Sequence, residues 1–396
     1  MLAGLAGVSV IGLSALALAG ANSAGALPGS ALALVISPSH ALVDQPVDVR
    51  LTGLRPGRKV TLQATTRDAF GRVWRSRLVY TSGRGGIVDT HSNMKLFWSL
   101  RPVKSPRAAA HFRPPLGEAA VHLRAFVAGR AVASATLLRR VRAANVIRKE
   151  TTLAHEGFVG EYFSPTSASP APAVLRIGGA AGGHNPVPAA LLASHGYPTL
   201  ALGYFREPGL TRTPKQIPFE YFAKALRWLA GQPGVEPGRI IVLGVSLGGE
   251  AALLLGASYP DLVHGVIGCA PLSQVSGSWT IGGRTIPYGE IRVERIAGPA
   301  LVTGGDKDAV WPSGISVRLI VERAREHGRR DIVGRVYPRA GHIGCEIPNL
   351  PVAQILVSKD PAGRTAYVPI GGTRLANSQA SAAFWPLVLR FLRTLP

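Results

Sequence analysis

Three side chains in this sequence are of the types that activate a nucleophile, and each follows an apolar run. Ser246 sits in Gly244-Val245-Ser246-Leu247-Gly248, between the run Ile240–Leu243 and the Ala/Leu-rich segment Glu250–Ala257. Strand, sharp turn, helix is the reading of that pattern, and it is the setting in which G-x-S-x-G exposes a serine as nucleophile. The glycines have a steric reason. A strand turning at once into a helix brings the two backbones close, and Gly244 and Gly248 carry no Cβ to clash there. The helix N-terminus then aims free N–H groups at nearby negative charge. The plain alternative is a Gly/Ser turn with no chemistry, so the reading depends on partners elsewhere in the chain.

A serine hydroxyl needs a general base, and the base needs an orienting acid. On an α/β-hydrolase sheet they follow in the order Ser, acid, His. Asp308 lies in GGDKDAVWPS, just past the apolar run Pro299–Thr303. Asp306 is its neighbour, but the apolar residue and proline that follow at short distance favour Asp308. His342 lies in PRAGHIGCEIP, past the run Ile332–Tyr337. A glycine-flanked histidine at that place in the element order is the candidate base. The oxyanion donors expected are the Leu247 N–H and an amide of the loop Gly178–Gly183, with Gly179 and Ala180 the candidates. His184 and Asn185 follow that loop, where structural or substrate-lining roles suit them as well as catalytic ones.

These residues need a sheet that brings them to one edge. From Ala173 onward, short apolar runs alternate with helical patterns. Val174–Ile177, Thr199–Leu202, Ile240–Leu243, Val263–Ile267, Pro299–Thr303 and Ile332–Tyr337 read as strands. Phe219–Leu229, Val317–His327 and Ala380–Leu395 read as helices. Such alternation predicts βαβ units, a mostly parallel sheet and helices on both faces, an α/β class domain over 171–396. Residues 31–145 instead carry period-two runs such as Val47–Leu51, Lys59–Ala64 and Val121–Phe126 broken by turn residues, which predicts an antiparallel β-sandwich. Residues 146–170 read as a linker with one short strand at Glu161–Phe163.

Residues 1–26 are apolar, carry no charge and end in Ala24-Gly25-Ala26. They read as a signal peptide-like segment, with a retained membrane anchor as the alternative. That points to a secreted or cell-envelope protein, with the cytoplasm as the other option.

The chain has 396 residues, 46% hydrophobic and 17% charged, which suits a well-buried globular protein and excludes a disordered one. Its formal charge of +22 comes from scattered arginines. No nucleic-acid module accompanies them, so nucleic acid is not an expected partner. Attraction to an anionic substrate, membrane or envelope surface stays open. The two cysteines, Cys269 and Cys345, exclude a disulfide-rich scaffold and offer no metal cluster. Two buried thiols are expected, or one disulfide in an exported protein. No cofactor or metal is expected.

Longer stretches resemble a known family. ISPSHALVDQPVDVRLTGLRPGRKVTLQA, DAFGRVWRSRLVY, GGIVD and MKLFWSLRP in the first part are similar to the acyl-CoA thioester hydrolase / bile-acid-CoA:amino-acid N-acyltransferase family. So are EGFVGEYFSP, GVSLGGE, GGDKDAVWPS, YPRAGHIGCEIP and GGTRLANSQASAAFWPLVLRFL in the second. Lys95 stands where the family has a glycine, the stretch before it is shorter than usual, and the connection Pro271–Gly298 is short. The resemblance implies an N-terminal β-sandwich and a C-terminal α/β-hydrolase domain. It implies a nucleophile–Asp–His triad falling on Ser246, Asp308 and His342, and an acyl thioester as substrate. Members with serine at the nucleophile are thioesterases and members with cysteine include amino-acid conjugating transferases, so Ser246 tilts the expectation toward hydrolysis. The alternatives are transfer to an amine or alcohol, an exported carboxylesterase, and an inert envelope binding protein on the same fold. Oligomeric state is not legible in the sequence.

Overall fold

On strand Lys59–Arg67, Val60, Leu62 and Ala64 are buried while Thr61 and Thr65 stay partly exposed, the alternation of a strand covered on one face. The computed structural model, which describes residues 31–104, 111–166, 169–342, 346–359 and 364–395, pairs this strand within a six-stranded sheet. A three-stranded sheet of Ala33–Ser37, Asp48–Thr52 and Val88–Asp89 faces it. Pairing is antiparallel except where His40–Leu42 runs parallel to Arg130–Arg140. Val49, Leu51, Leu62, Leu96, Leu123 and Leu137 fill the space between. The residues 1–26 lie outside the described part. Among the described residues no helix is long and apolar enough to cross a membrane.

A third sheet has eight strands: β1 (Val146–Thr151), β2 (Val159–Pro165), β3 (Ala171–Ile177), β4 (Thr199–Gly203), β5 (Val235–Val245), β6 (Gly265–Cys269), β7 (Ala300–Gly305) and β8 (Ile332–Tyr337). Their spatial order is β1-β2-β4-β3-β5-β6-β7-β8, with β2 antiparallel to its two neighbours and the run from β4 to β8 parallel. Near-continuous apolar strands such as β4 and β6 are buried along their whole length, as a sheet covered on both faces requires. Helices α1 (Pro186–Ser194), α2 (Phe219–Ala230), α3 (Leu247–Ser258), α4 (Ser313–Glu326) and α5 (Arg374–Thr394) cover it. Two apolar clusters, one around Phe222, Leu253 and Val302 and one around Leu191, Ile267 and Phe384, form the layers above and below.

Residues 146–170 are not a linker. They supply β1 and β2, the outer strands of this sheet. The middle of β1, Ile147-Arg148-Lys149-Glu150, is solvent-exposed, so it lacks the alternation of a half-buried strand. Its ladder to β2 holds it in place. Several boundaries differ: β5 begins at Val235 rather than Ile240 and α4 at Ser313 rather than Val317. β6 begins at Gly265 rather than Val263, and α5 begins at Arg374, more than a turn ahead of Ala380. The Thr373 hydroxyl caps α5 by accepting the Ala376 N–H at 3.1 Å.

The two parts are joined through buried polar contacts. Asp44 of the sandwich accepts from His195 Nε2 at 2.6 Å and from Trp385 Nε1 at 2.8 Å.

Candidate active site

The turn after β5 packs three pieces of backbone against one another. A Cβ on Gly244 would fall 1.8 Å from the Gly248 carbonyl oxygen, and one on Gly248 would fall 2.3 Å from that of Gly178. Only glycine lets strand, helix and the neighbouring loop meet here. Ser246 absorbs the bend with φ 60° and ψ −125°, a conformation that costs a non-glycine residue on the order of 1–3 kcal/mol. Its N–H donates to the Cys269 carbonyl at 2.8 Å, which ties the turn to β6. Cys269 itself is a buried free thiol, and Cys345 lies outside the described residues.

The His342 ring reaches this serine from the loop after β8. Its Nε2 is 2.9 Å from Ser246 Oγ, and its Nδ1 is 2.8 Å from Asp308 Oδ2. The His342 and Asp308 side chains are almost wholly buried, 3% and 0% exposed, so water does not compete for the bond between them. Asp308 is held from three more directions. Its Oδ1 accepts the N–H groups of Val310 at 2.8 Å and Trp311 at 3.2 Å, and its Oδ2 accepts from Ser313 Oγ at 2.5 Å. The Trp311 ring meets the imidazole edge-on, with centroids 5.1 Å apart.

Asp306 turns the other way. Both its oxygens accept from Arg318, at 2.7 and 2.8 Å, and this pairing holds its carboxyl below the usual carboxylate range. It has no bond to the imidazole. Of the two acids weighed from sequence, the structure brings Asp308 to His342 and leaves Asp306 in a surface ion pair.

The loop after β3 runs beside the serine. A Cβ on Gly179 would sit 2.9 Å from the Ser246 Cβ and 3.3 Å from its Oγ, so this backbone lies directly against the serine. The Gly182 N–H donates to the Gly179 carbonyl at 3.2 Å, closing a turn around Ala180. Leu247 opens α3, and first-turn amides have no intrahelical acceptor.

His184 anchors the far end of this loop. Its Nδ1 is 2.6 Å from Glu207 Oε1 and its Nε2 is 3.0 Å from Glu161 Oε1, while its backbone N–H donates to Glu207 at 2.7 Å. Arg148 Nε donates to the other Glu161 oxygen at 2.6 Å. Burial alone would lower the His184 pKa, but its two carboxylate partners outweigh burial and raise it. Burial likewise pushes Glu161 up, yet His184 and Arg148 bring its carboxyl down to about 2. An imidazole bonded to carboxylates through both nitrogens needs both N–H groups, hence the charged form. Asn185 caps α1 by accepting the Val187 N–H at 3.2 Å. His184 and Asn185 thus hold the loop in place and do not touch Ser246.

Two buried supports escaped the sequence reading. Asn377, on α5, accepts the Gly341 N–H at 2.7 Å and donates to the Gly371 carbonyl at 3.2 Å. Gly371 bridges to Asp308 and Gly372 to Ala340, so the segment before α5 clamps the acid loop and the histidine loop together. Glu250, on α3, is fully buried. It accepts from Ser276 N at 2.9 Å, Ser276 Oγ at 2.5 Å, Gly277 N at 2.8 Å and Trp279 Nε1 at 2.8 Å. It thereby fastens the Pro271–Gly298 connection to α3. A carboxylate inside GGEAALLLGAS and an Asn inside TRLANSQASAAF were the available signals, since polar residues in buried stretches require partners. Among the described residues, no group of three or more His, Cys, Asp or Glu could hold a metal ion.

Comparison with known proteins matches both halves. The acyl-CoA thioester hydrolase/BAAT N-terminal region matches residues 44–152, and the BAAT / acyl-CoA thioester hydrolase C-terminal region matches residues 217–287 and 280–395. Acyl-coenzyme A amino acid N-acyltransferase 2 of Mus musculus is 28% identical over 420 residues, covering 91% of this chain and 97% of the relative. Acyl-coenzyme A thioesterase 1 of Homo sapiens is 27% identical over 375 residues, covering 82% of this chain and 88% of the relative. Human bile acid-CoA:amino acid N-acyltransferase is 28% identical over 414 residues, covering 91% and 97%. Proteins named as thioesterases and proteins named as N-acyltransferases alike match along most of their length, and with its two halves matched in order this chain belongs to the acyl-CoA thioester hydrolase/BAAT family.

Proposed function

We propose that the protein is a serine hydrolase that cleaves acyl thioesters through an acyl-enzyme on Ser246. The observation that carries this reading is the hydrogen-bonded series Ser246–His342–Asp308, at 2.9 and 2.8 Å, at the carboxyl edge of a parallel sheet. Ser246 Oγ attacks the acyl carbonyl while its proton passes to His342 Nε2. The carbonyl oxygen becomes an anion facing the amides of Leu247 and of the Gly179–Ala180 turn, each contributing about 3 kcal/mol to the transition state. Collapse breaks the carbon–sulfur bond, and His342 returns the proton to the leaving thiolate. Water then repeats the sequence on the oxygen ester and releases free acid. Asp308 keeps Nδ1 protonated and stabilises the imidazolium that forms in each half-reaction.

The second reading is transfer of the acyl group to an amine or alcohol. It is favoured by the relatives named as amino acid N-acyltransferases, which match over almost their full length. One experiment separates the two. The purified protein is given an acyl-CoA with and without glycine or taurine, and products are identified by mass. Free acid in both conditions supports hydrolysis, and an amide formed at the expense of acid supports transfer. Loss of both products in Ser246→Ala keeps the nucleophile assignment, whereas undiminished turnover in that variant removes it. Export to the cell envelope is part of this proposal, on the strength of residues 1–26, and fractionation of cells carrying the full chain tests it.

A further inference from the structure

Five cations converge where the sandwich meets the start of α5. Arg75, Arg77, Lys95, Arg101 and Arg374 line one groove of about 380 Å³, with the Trp98 indole along its wall. No acidic side chain lines it, and none of the five cations forms an ion pair among the described residues.

The arrangement opposes local electrostatics. Arg75 and Arg101 are directly opposed on antiparallel strands, where like charges repel at short range. Arg77 lies two residues further along the same face, and its Nε is occupied by the neutral Gln63 Oε1 at 2.8 Å rather than by a carboxylate. Arg374 is fixed at the base of the groove. Its Nε donates to the Val352 carbonyl at 3.1 Å, and its two terminal nitrogens donate to the carbonyls of Trp98, Ser99 and Leu100 at 3.0, 3.3 and 2.9 Å. Burial first, then the Arg101 charge, pulls its pKa down to about 10, so it remains a cation at neutral pH. Elsewhere on this surface arginines find acids, as Arg72 does with Asp68 and Arg323 with Glu294. Here the charges are gathered in a concavity and left without counter-charge.

We propose that this groove is a binding site for a phosphate-bearing polyanion. Planar guanidinium groups match phosphate oxygens in pairs, and several of them around one concavity suit a diphosphate better than a single carboxylate. The site does not depend on the acyl chemistry assigned to Ser246. A soluble nucleotide and a lipid headgroup both carry the required group, and the test distinguishes them.

The full chain is titrated calorimetrically with pyrophosphate and with adenosine 3′,5′-bisphosphate, and sedimented with vesicles of phosphatidylglycerol or of phosphatidylcholine. The double variant Arg75→Gln/Arg101→Gln is compared with Arg284→Gln/Arg292→Gln, which removes the same charge from exposed positions elsewhere. Removing two opposed like charges does not threaten the fold, and circular dichroism checks this. The expected result is binding by the native chain that weakens at least tenfold in the groove variant and less than twofold in the distant one. Binding of the soluble phosphates assigns the groove to a soluble ligand, and binding of phosphatidylglycerol vesicles alone assigns it to a headgroup. Failure of every probe with the native chain, or equal losses in the two variants, overturns the proposal.

Discussion

Replacing Asn377 by alanine should damage catalysis from a residue that never touches substrate. Asn377 is wholly buried, and its amide is the partner of the Gly341 N–H at 2.7 Å and of the Gly371 carbonyl at 3.2 Å. Alanine leaves both backbone groups without the partner they have in the native structure. A buried unsatisfied donor or acceptor costs about 1–3 kcal/mol, and the longer of the two bonds belongs at the lower end, so a loss of about 3 kcal/mol is expected. Gly341 is the residue before His342, so part of that strain is relieved by moving the imidazole. A displacement of about 1 Å costs on the order of 100-fold in rate. Asn377→Asp keeps an acceptor for Gly341 but loses the donor to Gly371, and should be intermediate. Urea unfolding gives the stability change, and thioester turnover followed by thiol release gives kcat. An alanine variant within about 0.5 kcal/mol of the native stability and within twofold of its kcat would refute the argument that this amide holds the histidine loop.

Asp308→Asn should lower kcat by about 10⁴ with little change in KM, while Asp306→Asn, which breaks only the surface pair with Arg318, should leave turnover within a fewfold. The reverse order in steady-state assays would reassign the acid. His184→Gln should destabilise the chain by an amount that depends on pH. The raised His184 pKa gives stability that is full below the ordinary histidine value near 6.5 and is lost as pH rises through the raised value. The Glu161 carboxyl, brought down to about 2, gives stability present above the ordinary glutamate value near 4.3 and lost as pH falls toward 2. Denaturant titrations should therefore show the largest gap between native and His184→Gln between those limits, closing at alkaline pH; a constant gap would rule out the charged imidazole. Glu250→Ala removes the acceptor of three N–H groups and one hydroxyl and should cost at least about 2 kcal/mol, with protease sensitivity appearing in 271–298. Unchanged digestion of that segment would count against Glu250 as its fastening.

The parts of the fold that were legible are those whose residues repeat a simple period. β8 and α2 are legible almost to the residue, because Ile332–Tyr337 is rich in β-branched and aromatic residues between charged flanks and Phe219–Ala230 has one clean apolar face. β1 was not legible. Its exposed Arg148, Lys149 and Glu150 carry no burial signal, and only the ladder to β2 makes it a strand. The serine turn could be read because steric crowding selects glycine at fixed offsets, a local constraint. The partners of Glu207, Asn377 and Glu250 could not be read, because His184, Gly341 and Ser276 lie far from them in sequence. A buried polar side chain announces that it has a partner without saying which.

The crossing at Gly371 and Gly372 has a consequence for biosynthesis. Nucleophile, acid and base loops all leave the ribosome before the segment that locks two of them together, and that segment is anchored by the helix ending at Thr394. A nascent chain released short of this helix would carry the whole reactive set in unlocked form. In a chain lacking this helix the acid and histidine loops would lose that clamp, so the ordering of both loops depends on residues C-terminal to either of them.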